Sequence, residues 1–452
     1  MALAVTRLKA AFIPRDGLRI SVLEGASAAV QATFTSGVVL TGFALSLGAG
    51  PWALGLLAAI PALFQFFQLV AAWALGRFGH RKAICVWGAS VSRYLWLPIA
   101  FTPFLPLPAE GKLALFFTLL AIATALGQMA GIAWSDWMAD AVPAGIRGRY
   151  FGLRNAVGAL AGMVALYFGT RFLEGFGADQ ARGFFVLLMV AVAAGALCHA
   201  LLAWQPEPPA APRQVRHGLA TLRAPLKDAP FRRLLGVTAG WMFCVNLTAP
   251  FTYAYALQHL KIGYGDLGLH ALIFTALSVV FQPLWGKLID RWGAQRVLVV
   301  IVLPTSLHPL YWLAMTPTFT LPFWLDAIST GIFWSGFMLA TSALLMEASP
   351  PGERAGYMGL WNTLMGVATS MAALAAGAVL SVLGERVFAL GPFHLGALQL
   401  VCLVGFGLRM VGFWMLAQVP RVAGPTVTIE TWVAPALPQA DGASPVPTST
   451  GL

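Results

Sequence analysis

Long stretches without a charged residue dominate the pattern of this chain. The range 25–76 contains no Asp, Glu, Lys or Arg, and a helix of about 20 apolar residues is enough to cross a membrane. This range therefore predicts two membrane helices, separated by the turn signal Gly-Ala-Gly-Pro at 48–51. Similar stretches predict further spans at about 83–109, 113–135, 150–170, 183–204, 232–258, 267–288, 297–315, 320–346, 356–383 and 396–419.

Two polar regions divide and end the chain. Residues 205–230 are rich in Pro, Arg and Lys and predict a cytoplasmic linker, and the Pro-, Ser- and Thr-rich end predicts a disordered tail. The expected fold class is an all-α polytopic membrane protein with twelve transmembrane helices in two pseudo-symmetric six-helix bundles. The expected parts are an N-terminal cytoplasmic segment 1–17, a bundle 18–204, the linker 205–230, a bundle 231–419 and a cytoplasmic tail 420–452.

The distribution of cations predicts the orientation. With both termini placed in the cytoplasm, most of the 28 Lys and Arg residues fall on inner segments, as the positive-inside rule requires. The outer loops then carry only Lys112, Arg171, Arg182, Lys261 and Arg386. The net charge of +11 thus indicates topology and affinity for anionic lipids rather than for nucleic acid. We expect a multi-pass monomer in the inner (plasma) membrane.

Composition agrees with this picture. Hydrophobic residues make up 59% of the chain and charged residues 10%, against about 25% charged in soluble domains, which excludes a soluble globular enzyme. The four cysteines lie in separate apolar stretches without Cys-x-x-Cys spacing, which favours buried apolar packing over a metal or redox site. The chain has no Walker loop, and we expect no cofactor and no metal.

One loop of the first half recurs in the second. Seven residues repeat at a constant offset: Asp140, Pro143, Arg147, Tyr150, Gly152, Leu153 and Asn155 return as Glu347, Pro350, Arg354, Tyr357, Gly359, Leu360 and Asn362. Internal repeats of this kind are typical of transporters built from two related halves.

A second loop carries a recognisable motif. After the eighth predicted span the chain reads Gly-Lys-Leu-Ile-Asp-Arg-Trp-Gly-Ala-Gln-Arg at 286–296. Together with the twelve spans, the central linker and the repeat, this motif resembles the signature of the major facilitator superfamily (MFS). The resemblance covers nearly the whole chain apart from its termini. The first-half copy at 72–82 has Ala72 and Gly76 in place of the first Gly and the Asp.

The resemblance implies a transporter in which this loop latches the inner ends of the helices. It assigns the gating loop to Gly286, Asp290, Arg291, Gly293 and Arg296, with Arg147 and Arg354 anchoring the repeated loops. The alternative is that these cations are plain positive-inside anchors.

Five ionisable residues fall within predicted spans: Glu24, Arg93, Asp136, Asp326 and Arg409. Ionisable groups at membrane depth are functional candidates by default. The resemblance implies that spans 1, 4, 7 and 10 line a central cavity, whereas spans 3, 6, 9 and 12 are peripheral. We therefore take the three acids as substrate or proton candidates. We expect Arg93 to pair with Glu24 or to brace the fold, and Arg409 to be structural or to snorkel.

Uncharged groups extend the list of candidates. The amides Gln31, Gln128 and Asn246 lie mid-span on helices expected to line the cavity, where they either bind substrate or join helices. The acids Glu24 and Asp136 could carry a proton, or they are ionised in the headgroup zone. The fourth span has no arginine of the kind that many proton-coupled members carry, so a facilitator remains open.

We therefore predict a secondary active transporter that moves a small organic solute by alternating access. The expected partners are this solute, membrane lipids and, if transport is coupled, protons; nucleic acid is not expected. The alternatives are a multidrug-type efflux pump and a non-transporting receptor or accessory protein with the same fold. No enzyme is expected, because no nucleophile with its base stands out.

Overall fold

The computed structural model describes residues 15–177, 179–208, 223–350, 353–390 and 393–418. Within these ranges, 12 helices are long and apolar enough to cross a membrane, which confirms the predicted fold class. The predicted tail 420–452, most of the N-terminal segment 1–17 and residues 209–222 of the linker lie outside the described ranges.

The helices divide into two sets of six. The first half contains α1 (Gly17–Ser46), α2 (Pro51–Phe78), α3 (Arg81–Phe104), α4 (Ala109–Ala141), α5 (Arg147–Glu174) and α6 (Gln180–Trp204). The second half contains α7 (Ala229–Gln258), α8 (Tyr264–Trp292), α9 (Ala294–Ala314), α10 (Leu321–Ala348), α11 (Gly356–Leu383) and α12 (Ala397–Ala417). Because successive spans reverse direction and their number is even, α1 begins and α12 ends on one face, the termini face. The opposite face is called the far face.

The connections follow from local chemistry. The predicted turn between α1 and α2 is present, with Gly48 at φ 89°, a left-handed conformation that favours glycine, and Pro51 in the first turn of α2. An antiparallel hairpin, β1 (Val387–Leu390) and β2 (Phe393–Gly396), joins α11 to α12 with Val387 opposite Gly396.

Two spans of the second half are broken at mid-membrane depth. In α7 the helix Ala229–Asn246 is followed by a turn and the helix Thr252–Gln258. In α9 the helix Ala294–Ser306 is followed by the helix His308–Ala314. Non-helical backbone at this depth is tolerated only where protein or a cavity satisfies its polar groups, so these breaks indicate where the polar side chains of this half gather.

Among the residues that the structure describes, the two bundles share a hydrophobic core in their far halves. That core contains Phe43 and Phe184 of the first bundle together with Tyr264 and Phe323 of the second. In the termini half, each bundle has a core of its own. The bundles therefore share their core toward the far face, while the contact between α2 and α11 continues into the termini half, where a Cβ on Gly359 would lie 3.7 Å from Leu69 Cδ2.

Closure of the far face depends on small residues of α2 and α11. A Cβ atom built on Gly55 would lie 2.5 Å from the carbonyl oxygen of Ala373, and one on Gly377 would lie 2.9 Å from that of Pro51. Glycine thus lets the two backbones touch. A polar contact adds to this closure, since the Gly265 N–H donates to Glu174 Oε1 at 2.9 Å.

Candidate functional site

The first bundle encloses a cluster of three charges. Glu24 on α1 is 3% exposed. Its Oε2 accepts a hydrogen bond from Arg154 Nη2 at 2.6 Å, and Arg93 Nη2 lies 3.8 Å from its Oε1. The expected pairing with Arg93 is present, but Arg154 is the closer partner. The Cys198 thiol donates to Glu24 Oε1 at 3.0 Å, so both carboxylate oxygens are satisfied.

Neighbouring residues make room for Arg154 and orient it. A Cβ atom on Gly25 would lie 2.9 Å from Arg154 Cζ, so a larger residue there would push the guanidinium away from Glu24. On its other side the guanidinium stacks 4.2 Å from the centre of the Trp134 ring, a favourable cation–π distance. The Nε of Arg154 also donates to the carbonyl oxygen of Ser21 at 3.2 Å.

Arg93 is held from the side by an amide. Its Nε donates to Gln31 Oε1 at 2.9 Å. Both residues, with Glu24, Trp134 and Arg154, line a cavity of about 350 Å³ formed by α1, α3, α4, α5 and α6, which we call the N-cavity. Arg93 thus lines the N-cavity although its helix is one of the spans expected at the periphery. A long side chain on a peripheral helix reaches inward because its charge would be costly in lipid.

The second bundle encloses an acid and two imidazoles. Asp326 on α10 is buried, and its Oδ2 lies 3.3 Å from His270 Nε2 on α8. His308, at the break in α9, contacts Thr330 and Ser329 of α10 at 3.3 and 3.0 Å. These side chains face a cavity of about 270 Å³, which we call the C-cavity.

Aromatic rings and an amide complete the C-cavity. Trp241 and Trp334 stack with ring centres 6.4 Å apart and form part of its wall. Asn246 also lines it and reaches toward α11, donating to Thr369 Oγ1 at 3.3 Å.

Arg409 on α12 lies at the same cavity and is 4% exposed. Its guanidinium donates to the carbonyl oxygens of Thr305 and Val245 at 3.2 and 3.0 Å and to Thr248 Oγ1 at 2.9 Å. Of the two roles expected for Arg409, the structural one therefore describes it and snorkelling does not. The reason is that the broken helices α7 and α9 present carbonyl groups to it.

The other two candidates in α4 lie apart from the cavities. Gln128 accepts a hydrogen bond from Gln68 Nε2 at 2.8 Å and so joins α4 to α2. Asp136 is 33% exposed and lies 3.6 Å from Arg81 Nη1 near the termini face. Asp136 therefore belongs to the ion-pair cluster around Arg81 and lines neither cavity.

Arg81 organises the termini face of the first bundle. It is 3% exposed, pairs with Asp140, and donates to Glu207 Oε1 at 3.1 Å and to the carbonyl oxygen of Pro208 at 2.7 Å. It thus ties the start of α3 to the end of α4 and to the chain after α6. Arg81 belongs to the first-half copy of the motif at 72–82, in which Gly76 replaces the Asp. The contacts that join these helix ends are made by the arginine.

The residues predicted to form the gating loop lie at the termini face. Gly286 is in α8, and the side chains of Asp290, Arg291 and Arg296 are exposed, while Gly293 has φ 83° and makes the tight turn. Within the described ranges, no ion pair joins Asp290 to a cation.

The repeated arginines differ in their contacts. Arg147 donates to the carbonyl oxygens of Ala139 and Val142 and so caps the end of α4. Arg354 begins the helix Arg354–Leu383 and is exposed.

Three residues of the two cavities were missed from the sequence. His270 and His308 look isolated along the chain, because nothing in their spacing shows that they face Asp326. In the sequence, Arg154 resembles the other cations of the cytoplasmic segments, but a comparison of the two halves of the repeat distinguishes it. The equivalent position in the second half is Trp361, although both neighbours of Arg154 are conserved between the halves. In the part of the chain that the structure describes, no group of three His, Cys, Asp or Glu side chains could hold a metal ion.

Comparisons with known proteins agree with this architecture. A family model described as Major Facilitator Superfamily matches residues 25–267 and 243–438. The solved structure of nucleoside transporter NupG is 15% identical, with a TM-score of 0.65 over 90% of this chain and 99% of NupG. A D-xylose-proton symporter is 14% identical, with a TM-score of 0.63 over 91% of this chain and 98% of that protein.

The xylose transporter XylE from E. coli, in an inward open conformation, is 16% identical, with a TM-score of 0.61 over 92% of this chain and 97% of XylE. At these identities the likeness extends to the fold alone. No curated protein matches the sequence.

Proposed function

This chain belongs to the major facilitator superfamily, and we propose on that basis that it is a secondary active transporter of a small organic solute. The observation that carries the proposal is the single core shared at the far face, opposed by two separate cores at the termini face. Alternating access by rocking of two bundles requires one closed end and one open end around a central site. The N-cavity and the C-cavity supply polar groups on each side of that site.

The proposed orientation follows from the cations. Both termini lie in the cytoplasm of a cell whose inner (plasma) membrane holds the protein, because most Lys and Arg residues fall on that side. The conformation described above then faces inward. The latch proposed at Asp290 is released in this state and engages when the termini face closes.

Glu24 is the proposed proton-binding group. Its carboxylate holds two guanidinium groups in a buried cluster. Protonation would remove the charge that both arginines share, and the cluster would then rearrange. A group of this kind can couple a proton to a change of conformation.

Uptake into proteoliposomes containing the full chain tests the proposed function. We expect at least one member of a panel of radiolabelled nucleosides, sugars, amino acids and organic acids to accumulate. Applying and collapsing a pH gradient then shows whether transport is coupled to protons. Extrusion of cationic dyes alone would indicate a multidrug-type pump. Saturable binding without movement of any solute would indicate a receptor and would contradict the proposal.

Glu24→Gln should separate coupling from transport. The amide preserves the size and much of the hydrogen bonding of the side chain but cannot exchange a proton. Because coupling free energies are about 1–3 kcal/mol, or roughly 5–150-fold, we expect accumulation driven by a pH gradient to fall by about tenfold, with a smaller loss of solute exchange. The matched control is Glu110→Gln, an exposed acid at the far end of α4. Equal loss of both activities would argue against a proton role.

Asp290→Asn should favour the conformation that is open at the termini face. If Asp290 forms its ion pair only when that face closes, the amide weakens the closed state alone. The reporter is Gln65→Cys, on a cavity of about 240 Å³ between α2 and the second bundle, since the four native cysteines are buried. We expect its maleimide labelling to accelerate by about fivefold. The control is the same reporter combined with Glu110→Gln. If Asp290→Asn labels no faster than this control, Asp290 does not act as a latch.

A further inference from the structure

The N-cavity carries an unbalanced positive charge. Among the residues that line it, the Asp, Glu, Lys and Arg side chains are Glu24, Arg93 and Arg154, so one carboxylate faces two guanidinium groups. The C-cavity differs, since Asp326 and Arg409 there balance each other. An uncompensated buried cation is strongly unfavourable, and the N-cavity is therefore suited to receive an anion.

Unused hydrogen-bond donors lie in the same cavity. The Nε of Arg93 is occupied by Gln31 and its Nη2 faces Glu24. Its Nη1 is buried and, within the described ranges, has no hydrogen-bond partner; the same is true of Trp134 Nε1. Both residues line the N-cavity. Buried donors are nearly always paired in a folded protein, so a missing acceptor is the simplest explanation for two of them at one site.

The size and lining of the N-cavity fit a small ligand. Its volume of about 350 Å³ lies within the range of small-molecule pockets, roughly 300–1,000 Å³. The remaining wall is built largely from small residues, namely Ala28, Ala32, Ala89, Gly127, Ala130 and Gly131. These residues keep the space beside Arg93 and Arg154 free of bulky side chains.

We propose that the N-cavity binds a carboxylate group of the transported solute, with Arg93 as its principal contact and Trp134 as a second donor. The planar guanidinium of arginine matches a carboxylate in shape and can donate two parallel hydrogen bonds. The solute is thus a small organic anion. This inference rests on the proposed transport function, because it assigns the chemical class of the solute.

Matched pairs of acids and amides test the carboxylate site. The purified full chain in detergent is titrated by isothermal calorimetry with benzoate and benzamide, lactate and lactamide, and succinate and succinamide. A charged hydrogen bond is worth roughly tenfold in affinity, so we expect at least one acid to bind about tenfold more tightly than its amide. Equal affinity within every pair, or no saturable binding of any acid, would overturn the proposal.

Variants then locate the contact. Arg93→Gln should reduce the affinity for that acid by about tenfold and leave the amide unaffected. Trp134→Phe, which removes the indole N–H but keeps an aromatic ring beside Arg154, should cause a smaller loss. The control is Arg182→Gln, an exposed arginine at the far end of α6. If Arg93→Gln does not fold, Trp134→Phe alone decides the outcome. Unchanged acid affinity in the folded variants would place the anion elsewhere and refute the assignment.

The two proposals fail in different ways. Acids that bind selectively but do not cross the proteoliposome membrane would leave the carboxylate site standing and remove the transport function. Transport of neutral solutes with no preference for acids would retain the transport function and remove the carboxylate site.

Discussion

Gly55→Val is expected to open the far face. Even a single Cβ at this position would lie 2.5 Å from the carbonyl oxygen of Ala373 and 3.3 Å from its carbonyl carbon. These are backbone atoms, so the clash can be relieved only by moving α2 away from α11. Overpacking of this kind costs about 1–3 kcal/mol. Because the clash is present only when the far face is closed, the equilibrium between the closed and open far face should shift by roughly 5–150-fold.

Labelling at the far face measures this change. Ala254 on α7 is buried in the structure and lines a cavity of about 480 Å³ between α2, α7 and the hairpin that follows α11. We expect Ala254→Cys to react with a maleimide markedly faster in the Gly55→Val background, with a parallel loss of transport. The control is Gly407→Val on α12, where an added Cβ meets nothing within 4 Å. If Ala254→Cys is labelled no faster in the Gly55→Val background than in this control, the contact between α2 and α11 does not hold the far face closed.

The membrane fold could be predicted because each span is recognised from the summed hydropathy of its own residues, independently of the other spans. Each span needs only a sufficient run of apolar residues, and all twelve were found. The ends of the spans were less accurate. The fifth was predicted at 150–170, but the helix extends over Arg147–Glu174. Charged residues commonly occupy the turns of a membrane helix that extend past the hydrocarbon core, and a count of apolar residues stops before them.

The charged site was predicted in part. Glu24 and Arg93 could be predicted because a charged residue within an apolar stretch is easily recognised. Two opposite charges at membrane depth are also expected to pair. Arg154 was hidden because it lies only two turns into α5, among cations that act as anchors. Its depth became visible only once the helix start at Arg147 was known. The difference between Arg154 and Trp361 in the repeat was the one available signal.

The C-cavity could not be assembled from the sequence. His270, His308 and Asp326 lie on three different helices, and their meeting depends on how each helix is rotated about its axis. Hydropathy alone does not report that rotation. Arg93 and Arg409 lie on spans expected at the periphery, and their side chains are long enough to line the N-cavity and the C-cavity.

Arg409→Met is expected to destabilise the second bundle by roughly 2–4 kcal/mol. Two hydrogen bonds from the guanidinium to backbone carbonyls are lost, each worth about 1.5–3 kcal/mol, and relief from burying a cation offsets part of this loss. The Val245 carbonyl also accepts from the Thr248 N–H at 3.4 Å, but the Thr305 carbonyl lacks its usual partner. The helical partner of the Thr305 carbonyl would be the N–H of residue 309, which is proline and has none.

The position of these carbonyls explains why a cation is used. Val245 and Thr305 lie in the last turns of the first helices of α7 and α9, where the partial negative charge of a helix end is concentrated. Arg409 contacts both ends at once. It therefore joins α12 to two broken spans and satisfies backbone groups that lipid could not satisfy.

Unfolding of the purified protein measures the effect. The apparent free energy of unfolding should fall in Arg409→Met but not in Arg182→Met, in which the same change is made at an exposed arginine. Arg409→Lys should be intermediate, because one ammonium group retains the charge but cannot bridge both carbonyls with the geometry of the guanidinium fork. A lysine variant as stable as the wild type would assign the effect to charge alone. A methionine variant as stable as the wild type would mean that the broken ends of α7 and α9 are satisfied without Arg409.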